Sequence, residues 1–196
     1  MFTDSKLLFA SLDLPDNPVK PNVEWPKIID RPSEIQKVDR SILTDDVNQI
    51  ISDLGLSIDY LMLWTWSQPA DKNYYEIHSD GHYTNVHARY LAMNWLITGT
   101  SSVNWYSYDN GTPTLKKYRS DTFQLTQWSY DTAPAKHLAK WTGAKPAILN
   151  IRQPHQVIVE SADVPRRSVT MRFLPNITME EMISRLGKRV LKINEE

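Results

Sequence analysis

RYLAMNWLITGTSSVNWYSYDNG, residues 89–111, is the stretch on which the reading of the fold turns. Two short runs rich in Leu, Val, Trp and Tyr flank Gly99, and Asp109-Asn110-Gly111 closes the second. Aromatic and branched residues in runs of this length, bounded by turn formers, read as strands over 89–97 and 102–108. Asp109-Asn110-Gly111 is a hairpin-type turn. The same texture extends from Leu56 to Phe173. It predicts further strands at 58–66, 73–79, 123–130, 136–141, 146–151, 155–160 and 166–173. Nine short strands without helical periodicity between them indicate an all-β core over residues 56–174, built as an antiparallel sandwich or jelly roll.

Outward from that core, residues 1–55 read as a lead-in plus one supporting helix. Prolines at 15, 18, 21, 26 and 32 remove backbone donors and restrict their predecessors, so residues 11–40 are expected to be extended and irregular. Trp25 and Ile28-Ile29 are expected to pin this segment to the domain. The helix is placed at 45–54: Thr44 caps it, Asp45 and Asp46 suit its positive end, Val47, Ile50, Ile51 and Leu54 share a face, and Gly55 stops it. Residues 175–196 are expected to form a C-terminal helix on the core. Thr178-Met179-Glu180-Glu181 has the capping-box pattern, and Met182, Ile183, Leu186 and Val190 form one stripe. The whole is read as a single domain.

At 41% hydrophobic and 23% charged residues, the chain has the balance of a soluble globular protein. A net charge of −1 argues against a general nucleic-acid or anionic-membrane binder. The absence of cysteine excludes disulfides, thiolate metal sites and cysteine nucleophiles. No apolar run approaches the roughly 18 residues of a membrane span. The first residues lack the basic start and apolar run of a secretory signal, so the expected location is cytoplasmic. Asn176-Ile177-Thr178 matches a glycosylation triplet but has no meaning without secretion.

The chemistry centres on His78-Ser79-Asp80. Side chains two apart on a strand project to one side, so His78 and Asp80 offer a nitrogen and a hard oxygen to the same ion while Ser79 points away. Gly81 permits a sharp exit. His155, preceded by Pro154 and followed by the strand-like Gln156-Val157-Ile158-Val159, is the candidate third ligand. His82 and His87 fall in a polar segment read as a loop, and His137 has no partner at ligand spacing. Two imidazoles and one carboxylate, without sulfur, form the facial set that holds redox-active iron and leaves other positions open. On the strand 166–173, Arg166, Ser168, Thr170 and Arg172 share one face. Arg167, Val169, Met171 and Phe173 share the other, expected to pack on the helices. A polar row facing a core is costly unless it meets a ligand or water. Arg166 suits a two-pronged contact with a carboxylate, and Ser168 adds a hydroxyl donor.

Together these residues resemble the iron(II)- and 2-oxoglutarate-dependent oxygenase superfamily, whose fold is a double-stranded β-helix, a cupin-like jelly roll. The family pattern of H-x-D, a distant His and R-x-S reads here as His78-Ser79-Asp80, His155 and Arg166-Arg167-Ser168. Residues 75–80, Tyr-Glu-Ile-His-Ser-Asp, are similar to the strand entering the motif in prolyl-hydroxylase-like members. Residues 91–97, with Pro154-His155-Gln156-Val157 and Pro165-Arg166-Arg167-Ser168-Val169, resemble the aspartyl/asparaginyl-hydroxylase-like branch, including short forms found in phages. The similarity covers roughly residues 56–174. The step from His155 to Arg166 is one residue longer than the common form, which leaves Arg167 as an alternative anchor.

The resemblance implies iron(II) on His78, Asp80 and His155, with 2-oxoglutarate as co-substrate held by Arg166 and Ser168. It implies hydroxylation of a peptidyl or small-molecule substrate with release of succinate and CO2. Asn94, polar in an otherwise apolar strand, is a further candidate for contact with co-substrate or substrate. Trp64, Trp66, Tyr75, Trp95, Trp105 and Tyr106 are available to wall a pocket or to fill the core. Two alternatives stay open: a non-catalytic jelly-roll binding or structural module, and a cupin-like metalloenzyme that does not use 2-oxoglutarate. Neither the substrate nor the oligomeric state is written in the chain.

Overall fold

A computed structural model describes residues 7–28, 33–67, 76–80, 91–107, 114–119, 124–130, 135–160 and 163–194. Tyr75, Gly81, His82, His87, Ile29 and the Asp109-Asn110-Gly111 turn lie outside the described residues. In chain order the elements are β1 (Phe9–Leu12), β2 (Ser33–Lys37), α1 (Asp45–Asp53), β3 (Ser57–Trp66), β4 (Ile77–Asp80), β5 (Leu91–Thr98) and β6 (Ser101–Ser107). There follow β7 (Thr114–Arg119), β8 (Gln124–Tyr130), β9 (Lys136–Trp141), β10 (Ala147–Asn150), β11 (His155–Val159), β12 (Arg166–Leu174), α2 (Met179–Leu186) and β13 (Val190–Ile193).

The strands make two antiparallel sheets. The larger runs β13-β1-β10-β5-β12-β3-β2 and the smaller β7-β8-β4-β11-β6-β9. From β3 to β6, and again from β9 to β12, the chain moves between the two sheets, so residues distant in sequence become lateral neighbours.

Two apolar clusters hold the layers together. One lies on the outer face of the larger sheet, where Leu61, Leu63, Val169, Met171 and Phe173 meet Val47, Ile50 and Ile51 of α1 and Met179, Met182 and Leu186 of α2. This is the expected helix-facing side of β12. The other lies between the sheets and contains Phe9, Ala92, Val103, Trp105, Trp141 and Leu149. Phe9 stacks on Trp105 with ring centroids 5.4 Å apart. A buried indole N–H needs an acceptor. Trp105 Nε1 donates to the Asn150 carbonyl at 2.9 Å, and Trp141 Nε1 donates to that of Lys145 at 3.1 Å. The helix caps are as expected: the Thr44 hydroxyl accepts from Val47 N and the Thr178 hydroxyl from Glu181 N. No helix among the described residues is long and apolar enough to cross a membrane.

Three sequence expectations are corrected. The lead-in is not wholly irregular. β1 is buried on both faces between β10 and β13, so it carries no polar alternation to reveal it, and β2 pairs with β3 although Ser-Glu-Ile-Gln-Lys reads as loop. A tenth strand of the core region, β7, was not expected, because Thr-Leu-Lys-Lys-Tyr-Arg is mostly polar; among the described residues it pairs with β8 alone, as an edge. Val190 does not continue the helical stripe. Gly187, at φ +53°, ends α2, and Val190 opens β13. Of the aromatic residues available to wall a pocket or to fill the core, Trp95 and Trp105 fill the core, Trp95 on the outer cluster with Nε1 donating to the Pro15 carbonyl. Trp25 packs against the outer cluster as expected.

Candidate metal centre

Apolar packing fills only part of the space between the sheets. The rest is a hollow of about 530 Å³, counting space open to solvent at its mouth, with an apolar wall and a row of polar and charged side chains facing into it. β4 contributes His78 and Asp80, β11 contributes His155, and the floor is β12 with Arg166, Ser168, Thr170 and Arg172. Trp64 and Trp66 of β3 and Asn94 of β5 complete the polar lining.

Strand pairing explains how His78 and His155 meet. β4 and β11 are antiparallel neighbours in which these two residues stand directly opposite each other. Opposite side chains in such a pair project to the same face with their Cβ atoms about 4.5–5.5 Å apart. The ring centroids are 4.4 Å apart. Alternation along β4 sends Asp80 to the same side, its Oδ1 lying 3.7 Å from His78 Nε2, while Ser79 on the other face reaches the Tyr130 hydroxyl at 3.3 Å. One ligand atom from each of His78, Asp80 and His155 lies within 4.8 Å of the others, and all three residues are buried.

Backbone carbonyls orient both imidazoles. His78 Nδ1 lies 2.9 Å from the Glu76 carbonyl, and His155 Nδ1 lies 2.9 Å from that of Gln153. A carbonyl can only accept, so each Nδ1 donates to it and each Nε2 is the ring nitrogen left facing the hollow, the orientation a metal ligand requires. Burial lowers the His155 pKa to about 4, and His78 and Arg172 push the same way against Asp80 and the Gln153 carbonyl. His155 is therefore neutral near pH 7 and competent to bind a cation.

The floor separates the two arginines. Arg166 is buried, and its Nε donates to the Ser101 hydroxyl at 2.7 Å while its guanidinium lies over the Trp66 ring at 5.2 Å. Those two contacts fix the plane of the group within the hollow. Gly99 makes room for it: a Cβ there would sit 2.9 Å from Arg166 Cα, and the glycine's φ is +76°. Arg167 points to the opposite face, over the Trp25 ring at 5.6 Å, and does not line the hollow. Arg172 Nη2 donates to Asp80 Oδ2 at 2.5 Å. Trp64 Nε1, Asn94 Oδ1 and Arg172 Nε are buried without a hydrogen-bond partner among the described residues. Each such group costs about 1–3 kcal/mol until a ligand or water meets it.

Of the sequence-predicted residues, His78, Asp80, His155, Arg166, Ser168 and Asn94 all line one hollow. His137 stands apart, on the exposed edge strand β9, with Nε2 3.2 Å from Asn104 Oδ1. Tyr106 is also elsewhere, its hydroxyl donating to Gln156 Oε1 at 3.2 Å. Sequence reasoning missed the contact of Arg172 with Asp80. Its signal was the alternation that already placed Arg172 on the Arg166 face, and no spacing rule joined it to β4. The close approach of Gly99 to Arg166 was likewise unforeseen.

Two imidazoles and one carboxylate, without sulfur, suit a divalent cation such as iron(II) in an open site. The buried guanidinium of Arg166 and the unmet donors of Trp64 and Arg172 suit a ligand rich in acceptors. Searches of the chain against models of protein families and against curated proteins find no match.

Proposed function

We propose that the protein is an iron(II)- and 2-oxoglutarate-dependent oxygenase that hydroxylates a peptidyl or small-molecule substrate and releases succinate and CO2. The observation that carries this reading is the convergence of His78, Asp80 and His155 around one point in a hollow whose floor bears Arg166 and Ser168. The strand order supports the accompanying fold assignment. Four-strand sets β10-β5-β12-β3 and β4-β11-β6-β9, between which the chain alternates from β3 to β6 and again from β9 to β12, are compatible with a double-stranded β-helix.

In this reading His78, Asp80 and His155 hold the iron, which when bound supplies the oxidising chemistry together with oxygen and 2-oxoglutarate. Arg166 orients the distal carboxylate of the co-substrate, its guanidinium already fixed by Ser101 and Trp66, and Ser168 adds a hydroxyl from the same strand face. Asn94 and Trp64 present an unmet acceptor and an unmet donor to whatever polar groups enter. The apolar wall of Ala92, Val103, Leu149, Ile151 and Val157 keeps the remainder of the site dry, which protects a reactive oxidant from side reactions.

The test is aerobic incubation with iron(II) and 2-oxoglutarate, measuring succinate alone and across a panel of peptides, amino acids and nucleobases. Succinate release that depends on iron and is lost in Asp80→Ala is expected. No release with any candidate, combined with no binding of metal or co-substrate, would overturn the proposal.

A further inference from the structure

We infer that Arg172 is a positioning residue that keeps Asp80 a one-oxygen ligand and thereby keeps a coordination position open. This rests on the reading of His78, Asp80 and His155 as a metal site. The two carboxylate oxygens of Asp80 have different neighbours: Oδ1 faces His78 Nε2 at 3.7 Å, and Oδ2 accepts from Arg172 Nη2 at 2.5 Å. Both side chains are about nine-tenths buried, at 9% and 11% exposure, so water competes poorly for either oxygen.

The local fold aims the guanidinium. Between β12 and β3 the register shifts at Arg172/Phe173: Arg172 stands opposite Tyr60 and Phe173 opposite Ile58, leaving Asp59 as the extra residue. A bulge of this kind bends and twists the strand pair and redirects the side chain beside it. Strand alternation has already put Arg172 on the floor of the hollow, and the bulge falls at the position nearest β4's carboxylate.

A guanidinium beside a cation site is an unfavourable neighbour for the cation itself, so affinity is not what it serves. A carboxylate with both oxygens available can close on a divalent ion through both. With Oδ2 held by Arg172, only Oδ1 reaches the ion, and the position a second oxygen would occupy remains for exogenous ligands. Arg172 thus trades some metal affinity for an open site.

The experiment uses the full chain with Mn(II) alone as probe and water-proton relaxation per bound ion as readout, with thermal melts in EDTA reporting folding. Wild type is expected to bind Mn(II) with three exchangeable waters. Arg172→Met is expected to bind Mn(II) as tightly or up to about tenfold more tightly, with relaxivity lower by roughly one third, as two waters replace three. Arg172→Lys, which still offers a donor to Oδ2, is expected to keep the wild-type relaxivity. If Arg172→Met does not fold, Arg172→Gln carries the comparison: its shorter amide does not reach Oδ2, and the same fall is expected. Unchanged relaxivity in the Met or Gln variant overturns the inference, as does a loss of Mn(II) affinity beyond tenfold in a folded variant. Failure of wild type to bind Mn(II) overturns both this inference and the functional reading. Binding of Mn(II) without any binding of 2-oxoglutarate overturns the functional reading alone, and the relaxation comparison still decides the role of Arg172.

Discussion

Removing one member of the Asp80–Arg172 pair strands the other in a largely dry hollow, and the cost can be worked out. The contact is 2.5 Å long between side chains that are 9% and 11% exposed. Breaking a buried pair by truncating one partner typically costs about 3–5 kcal/mol, because the uncompensated charge remains. For Asp80→Ala in metal-free protein we expect about 3 kcal/mol, since a fixed guanidinium cannot shed its proton. For Arg172→Met we expect about 2 kcal/mol, since the Asp80 carboxyl can be protonated instead. The double variant has no stranded charge, and its loss should be about 3 kcal/mol rather than the additive 5 or so, a coupling of about 2 kcal/mol. For a domain of this size about 3 kcal/mol corresponds to a melting shift of roughly 6–12 °C. Urea unfolding in EDTA, followed by tryptophan fluorescence, measures all four corners of the cycle. Single variants within about 0.5 kcal/mol of wild type, or a double variant that is additive within that margin, would refute the buried-pair reasoning.

Three further outcomes follow from the geometry. Arg166→Ala should weaken 2-oxoglutarate binding at least about tenfold while Arg167→Ala leaves it unchanged and costs about 1 kcal/mol of stability at most; titration calorimetry and melts separate the two, and the reverse pattern would move the anchor to Arg167. Gly99→Ala should be destabilised by about 1–3 kcal/mol through its φ of +76° and the 2.9 Å approach to Arg166 Cα, with a raised KM for 2-oxoglutarate; unchanged stability and KM would count against the described turn. Because the folded His155 pKa is lowered to about 4 from an unfolded 6.5, the unfolded chain binds more protons between those values. Metal-free stability should therefore be complete above about pH 6.5 and fall with acidification until about pH 4, by on the order of 3 kcal/mol from this residue. His155→Leu should flatten that part of the profile, and an equal pH dependence in both proteins would show that His155 is not held neutral.

Much of the β core could be read along the chain because each of its strands carries its own aromatic and branched residues between turn formers. β1, β2 and β7 could not, for opposite reasons. β1 is buried on both faces and too short to show a period, whereas β2 and β7 are polar edges whose partners, β3 and β8, decide that they are strands at all. The same distinction holds at the site. The i, i+2 rule placed His78 with Asp80, and it placed Arg166 with Ser168, Thr170 and Arg172, because these relations are local. The meeting of His78 with His155 depends on β4 lying beside β11, a non-local pairing that the motif order suggested and the sheet order supplies. Arg172 was legible as a floor residue but not as a partner of Asp80. The contact crosses from one sheet to the other, and the bulge beside it involves Asp59, which no turn or glycine signals.

The most direct measurement is an anaerobic titration of the iron(II)-loaded protein with 2-oxoglutarate, following the visible charge-transfer absorbance that arises when the co-substrate chelates the iron. The account predicts a saturable band at one equivalent, absent from Asp80→Ala and from His155→Ala, and reached only at much higher 2-oxoglutarate in Arg166→Ala. A protein that binds iron(II) without developing the band, or a band that survives in Asp80→Ala and His155→Ala, would contradict it.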